Sequence, residues 1–128
     1  MSENQLAKWN HFHDWYLDQI TIGPNEEPRT ITLGLYLGSE RANVVFKGVT
    51  CFCLENLGLL NIVYSIRMVE PNDKNYEYMN AVLSKGERLS KCKGERTVFM
   101  YSSLGAELAV EFESLEVEPE SPSLKANS

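Results

Sequence analysis

The chain has 128 residues, 43% of them hydrophobic and 23% charged, and a formal net charge of -6. Those proportions suit one folded domain with its own core and exclude a disordered chain. The negative charge argues against nonspecific binding to nucleic acid or an anionic membrane, both of which need a basic surface, and it permits a cationic partner.

The first ten residues, MSENQLAKWN, lack the basic start and apolar run of a secretory signal, and no later run approaches membrane-spanning length. Three cysteines, Cys51, Cys53 and Cys92, do not make an even disulfide framework, so free thiols in a reducing cytoplasm are expected. The stretch DWYLDQITI, rich in aromatic and β-branched residues, predicts a strand over 14–22. GPNEEPR supplies a turn-rich loop, and TITLGLYLG follows with Ile31, Leu33, Leu35 and Leu37 at period two, the pattern of a strand with one buried face. After the polar turn GSERAN, the run VVFKGVTCFCL changes parity around Gly48, where a bulge is expected.

In the next strand, 60–69, alternation puts Ile62, Tyr64, Ile66 and Met68 on one face. The pattern then changes: Tyr76, Met79 and Leu83 recur at helical spacing, predicting a helix over 73–85, with Asn72 or Asp73 as its cap and Gly86 as a left-handed stop. Residues 85–96 are basic and read as a solvated loop. TVFMYSSLGAELAVEFESLEVE predicts a hairpin turning near Ser103–Gly105, with a second bulge near Glu113 or Ser114. The polar tail, 119–128, is expected to be disordered. The sum is a mainly β (α+β) single domain over 1–118: a curled antiparallel sheet, or a small barrel or sandwich, with one helix.

Both histidines lie in NHFHDWYLDQITI. His13–Asp14 is the pairing of HD-type phosphohydrolases, but the helical fold and further metal-holding residues of that group are missing here. Spacing gives His13 no acid–base partner, so a structural role is the simpler expectation. His11-x-His13 and Cys51-x-Cys53 would make a tetrahedral zinc site if the two segments met; against this, the cysteines sit in an apolar strand, where free cysteine is commonly buried. No nucleophile elbow or phosphate-binding glycine loop is present, so neither catalytic residues nor a cofactor is expected. Trp9, Phe12, Trp15 and Tyr16 suit core packing more simply than a binding hot spot.

The clearest surface signal is acidic. Glu107, Glu111, Glu113, Glu116 and Glu118 punctuate the last strands, and no lysine or arginine occurs from Thr97 to Leu124. A solvated sheet face explains such a ladder, provided that the basic segment 85–96 folds beside it; otherwise it is a patch for a cationic partner.

Taken together, FHDWYLDQITI, TLGLYL, VVFKGVTCF, NIVYSI and YSSLGAELAVEFESLEVE resemble a group of small bacterial β-rich proteins with an F-H-D-x-x-L-x-x-I opening and a glycine-turn hairpin near the end. The resemblance spans about residues 9–118, and its motif falls here on His13, Asp14, Leu17 and Ile20, with Trp15 inside it. Some members of that group are classed as immunity proteins of polymorphic toxin systems. The resemblance implies a noncatalytic cytosolic protein that binds and occludes a partner such as a cationic toxin domain. The alternatives are an enzyme or zinc protein built on His11, His13, Cys51 and Cys53, and a homo-oligomeric structural component, for instance a homodimer.

Overall fold

The computed structural model describes residues 2–88 and 94–120. Helix α1 (Ser2–Lys8) and a short turn at Asn10–Phe12 precede β1 (Tyr16–Ile22), β2 (Thr30–Leu37), β3 (Glu40–Lys47), β4 (Cys51–Glu55) and β5 (Ile62–Met68). Helix α2 (Tyr76–Leu83) then leads to β6 (Arg96–Leu104), β7 (Glu107–Phe112) and β8 (Ser114–Glu120). All eight strands join one antiparallel sheet in the order β4-β7-β6-β5-β1-β2-β3-β8.

The sheet folds back on itself without closing into a barrel. Phe46 of β3 and Phe112 of β7 are far apart in the strand order, yet their rings meet at 4.9 Å. One half, β1-β2-β3-β8, thus faces the other, β5-β6-β7-β4, across the main core. Leu33, Leu35, Val44 and Phe46 come from the first half, and Val98, Met100, Leu108, Val110 and Phe112 from the second. Full burial of one such side chain stabilises the fold by about 1.5–3 kcal/mol relative to leaving it in water. Along β2 the period-two reading holds for Ile31, Leu33 and Leu35, while Leu37 at the strand end is exposed.

The halves are joined in two ways. At β1–β5 the pairing is narrow, with one ladder pair, Tyr16 and Ile62, and flanking bonds from Leu17 N–H to the Asn61 carbonyl and from Val63 N–H to the Trp15 carbonyl, each 2.9 Å. At the other side the chain itself crosses over. Lys47 of β3 pairs with Ser114 of β8, and Cys51 of β4 pairs with Glu111 of β7. Between these pairs, residues 48–50 oppose only 112–113, so one strand carries an extra residue, the signature of a bulge. Thr50 N–H donates to the Glu111 carbonyl at 2.9 Å and Glu113 N–H to the Lys47 carbonyl at 3.0 Å, which keeps the backbone bonded through the bend.

Gly48 makes this corner possible. Its φ is +69°, and a Cβ there would come within 2.7–2.9 Å of the Glu113 side chain. Both expected bulges, near Gly48 and near Glu113, are the two sides of this corner.

The outward face of β4, β6 and β7 is covered by α2. Met79, Val82 and Leu83 pack on Cys51, Val69, Phe99 and Ala109 in a second core. The helix is shorter than the predicted 73–85, and its N-cap position is Asn75, which makes no side-chain cap bond. Asp73 instead accepts from the Glu70 N–H at 2.8 Å, closing the preceding turn. Gly86 is not a left-handed stop: its bare backbone lies on β4, where a Cβ would come to 2.3 Å from the Phe52 carbonyl oxygen.

Helix α1 was not expected from the pattern, because Leu6 is its one large apolar residue among polar ones; Leu6 is fully buried. Gln5 lies along the outer edge of β8, donating to the Leu115 carbonyl at 3.1 Å and accepting from the Val117 N–H at 2.9 Å. Further along, Pro119 has no N–H to offer, so this edge presents little to a further strand. Strand β8 runs to Glu120, so residues 119 and 120 of the expected tail belong to the sheet, and residues 121–128 lie outside the described ones. Strand β5 also departs from its pattern. Irregular pairing between Ile62 and Ser65 turns Val63 and Ile66 inward and leaves Tyr64 exposed.

Gly48→Ala should lower stability by about 1–2 kcal/mol, the cost of an alanine in the left-handed region, with more if Glu113 cannot move. Urea unfolding measures it; an unchanged midpoint would mean that the corner does not need its glycine.

Candidate functional site

The histidine motif is where the chain packs against the sheet from one end. Asn10, His11 and Phe12 all have left-handed backbones, with φ of 54°, 53° and 59°. Each costs about 1–2 kcal/mol for a residue with a Cβ. The compensation is aromatic. Phe12 is fully buried, stacked on Trp9 at 5.6 Å and edge-on to Trp15 at 5.1 Å. Trp15 and Leu17 are buried and Ile20 packs on the same core.

His13 is exposed. Its Nδ1 lies 2.9 Å from the Tyr64 carbonyl oxygen, its ring is edge-on to Tyr64, and its Nε2 is 3.6 Å from the Asp14 carboxylate. The histidine thus satisfies a backbone group where the chain joins the sheet. Asp14 contributes through its backbone, at φ +69° with its N–H donated to the Val63 carbonyl at 2.9 Å. Its carboxylate faces the His13 ring.

The zinc geometry does not form. Cys51 is buried under α2 with its thiol donating to the Leu83 carbonyl at 3.4 Å, and Cys53 packs on the same cluster, whereas His13 lies against β5. Among the described residues no group of three or more His, Cys, Asp or Glu side chains could hold a metal ion. Burial pushes both the Cys51 and the Cys53 thiols up from their ordinary value, the opposite of an activated nucleophile. Cys92 lies outside the described residues.

The acidic ladder is divided by the corner. Glu107 and Glu111 lie on the α2 side of β7, where Tyr78 donates to Glu107 at 2.9 Å. Glu113 is at the bend, and Glu116 and Glu118 are on β8 in the other half, with Lys47 2.6 Å from Glu116. Glu111 is only 6% exposed and cannot serve as a contact surface. It accepts from Arg88, from the Thr50 hydroxyl at 2.6 Å and from the Gly94 N–H at 3.2 Å. Burial alone would raise its pKa, but Arg88, Thr50 and Gly94 outweigh that and hold the carboxyl below its ordinary value. The described ends of the basic segment, 85–88 and 94–96, therefore lie beside part of the ladder: Arg88 neutralises Glu111, Lys85 meets Glu55 at 2.8 Å, and Arg96 donates to the Glu113 carbonyl at 2.7 Å.

An apolar surface that the alternation pattern did not single out lies on the loop from β4 to β5. Leu57, Leu59 and Leu60 are 59%, 109% and 48% exposed, and Leu104 beside them at the β6–β7 turn is 51% exposed. Such side chains usually ride on mobile loops, but this loop is fastened. Asn61 is nearly buried; its Oδ1 accepts from the Gly58 N–H at 3.0 Å and the Ala106 N–H at 2.9 Å, and its Nδ2 donates to the Gly58 carbonyl at 3.0 Å. Gly105, at φ +82°, lets the β6–β7 turn close onto this loop: a Cβ there would meet Asn61 Oδ1 at 2.3 Å. Between the loop and β1 runs a groove of about 430 Å³ bordered by Tyr16, Tyr36 and Leu57–Asn61. Tyr16 and Tyr36 stack at 5.2 Å, and Arg41, gripping Asp18 through two bonds of 2.8 and 2.9 Å, lies over Tyr36. The signal was in NLGLLN itself, where three leucines with no alternation surround a glycine.

Comparisons with protein-family models, with curated proteins and with solved structures find no match. No described helix is long and apolar enough to cross a membrane.

Two stability tests follow from these sites. Asp14→Ala should lower stability by about 1 kcal/mol while Asp14→Gly does not, since glycine tolerates the left-handed backbone. Equal losses in both would return the role to the carboxylate. For Glu111, the folded value lies below the unfolded one, so its stabilisation is complete above the unfolded carboxylate range and is lost as pH falls through the folded value. Glu111→Gln should cost about 2 kcal/mol near neutral pH, the scale of hydrogen bonds to a charged group. The variant should also lose part of the acid sensitivity seen in thermal melts from pH 7 to 3, and parallel wild-type and variant curves would contradict the assignment.

Proposed function

We propose that this chain is a noncatalytic binding protein that acts by covering the surface of a protein partner. The observation that carries this reading is the leucine loop: large apolar side chains held in water on a backbone fixed by Asn61, beside a groove edged by tyrosines. Exposing leucines without a partner has no benefit for solubility, and a prefixed loop loses little entropy on association. Tyrosine and arginine beside them are the residue types that dominate interface energetics.

The resemblance to small bacterial β-rich proteins, some of them classed as immunity proteins, suggests a partner class, a toxin domain whose working surface is occluded. The formal net charge of -6 favours a cationic one, steering it in at low salt. The free thiols of Cys51 and Cys53 fit a reducing cytoplasm.

Affinity capture from the native lysate, followed by mass spectrometry, tests the proposal. A protein captured by the wild type should be lost at least about tenfold with Leu57→Ser/Leu59→Ser, a pair of exposed changes that should leave the melting temperature unchanged. Undiminished capture by that variant would remove the leucine loop from the interface.

A further inference from the structure

A second concave surface lies away from the leucine loop, where β4 faces the end of the β1–β2 hairpin. It is a cleft of about 680 Å³. Its apolar walls are Ile22, Pro28, Ile31, Val49 and Phe52. Ile22 is 66% exposed although it ends a strand whose earlier residues pack on the core. The corner and the hairpin loop are tied across the cleft by the Val49 N–H, which donates to the Arg29 carbonyl at 3.0 Å. The cleft is therefore built into the fold at its bend.

The rim is charged and unbalanced. Glu27, Glu87 and Glu113 border the cleft against one cation, Arg29, which lies 3.2 Å from Glu27. Among the described residues, Glu87 and Glu113 have no ion-pair partner, unlike Glu111 and Glu116 close by in sequence. A cleft with an apolar floor and two carboxylates at its lip that pair with no cation among the described residues matches an occupant with the reverse pattern. From that complementarity we infer that the cleft docks a basic, apolar-anchored segment of a partner protein: a large hydrophobic side chain on the floor, flanked by lysine or arginine reaching Glu87 and Glu113. The inference rests on the binding-protein reading only in taking the partner to be a protein. It concerns a separate surface, so cleft binding can fail while capture through the leucine loop stands, and the converse.

The probe is a short blocked peptide alternating phenylalanine with lysine. Its controls replace every lysine by glutamate, or every phenylalanine by serine. Fluorescence anisotropy at low salt should show the phenylalanine–lysine peptide binding at least about tenfold more tightly than either control, weakening as salt rises. Amide NMR shifts should concentrate on Ile22, Arg29, Ile31, Val49 and Phe52. Ile22→Ser and, separately, Glu87→Lys/Glu113→Lys should each weaken binding at least about fivefold. Glu77→Lys/Glu118→Lys makes the same change in net charge on exposed residues away from the cleft and should leave binding within about twofold. Should both charge pairs weaken binding equally, attraction would be a property of the whole acidic surface and the cleft assignment would fall. Equal binding of either control peptide, or shifts confined to other strands, would overturn it as well. Glu87→Lys alone, on an exposed residue outside the strands, keeps the charge test valid if the double variant does not fold.

Discussion

The bend at Gly48–Thr50 and Phe112–Glu113 is the constraint on which the other features depend. An antiparallel sheet of eight strands with apolar faces cannot remain flat and bury them. Here two long chain segments, β3 into β4 and β7 into β8, stay paired while turning from one half of the sheet to the other. The extra residue and the left-handed glycine absorb the turn, and bonds on each side prevent the loss of backbone pairing. The fold-back brings Phe46 onto Phe112, and the same turn separates the acidic positions of β7 from those of β8.

The bend also sets the chemistry of each glutamate. Positions that read as one ladder fall into three environments: under α2, at the corner, and on an outer strand of the other half. Only at Glu111 does burial demand a built partner set, and there Arg88, Thr50 and Gly94 supply it. This node fastens the start and end of the basic segment to the sheet, so it contributes to stability. The surface proposed for association lies elsewhere, on the leucine loop and the tyrosines beside it.

Much of the fold was legible because the strands obey period two and the turns carry glycine. Ile31, Leu33 and Leu35 alternate cleanly, and both parity breaks, at Gly48 and at Glu113, were visible as breaks. Helix α1 was hidden because it buries little besides Leu6 and earns its place through Gln5 on the β8 edge, a backbone contact that no hydrophobic pattern encodes. Strand β5 misled because irregular pairing around Val63 shifts its faces. The His11, His13, Cys51 and Cys53 set could be judged only in three dimensions, since spacing brings two residues to one face of a strand but does not say which strands meet. The leucine loop was present in the letters NLGLLN, but its meaning depends on Asn61, whose three hydrogen bonds turn an apolar loop into a fixed projection.

A surface prepared for association must exist before the partner arrives. Amide hydrogen exchange of the free chain at Gly58 and Ala106, the two N–H groups held by Asn61, measures this most directly. Protection comparable to that of the neighbouring β6 and β7 amides is the predicted result. Exchange at the rate of an unstructured loop would mean that the leucines are not held in place, and the proposed binding surface would lose its physical basis.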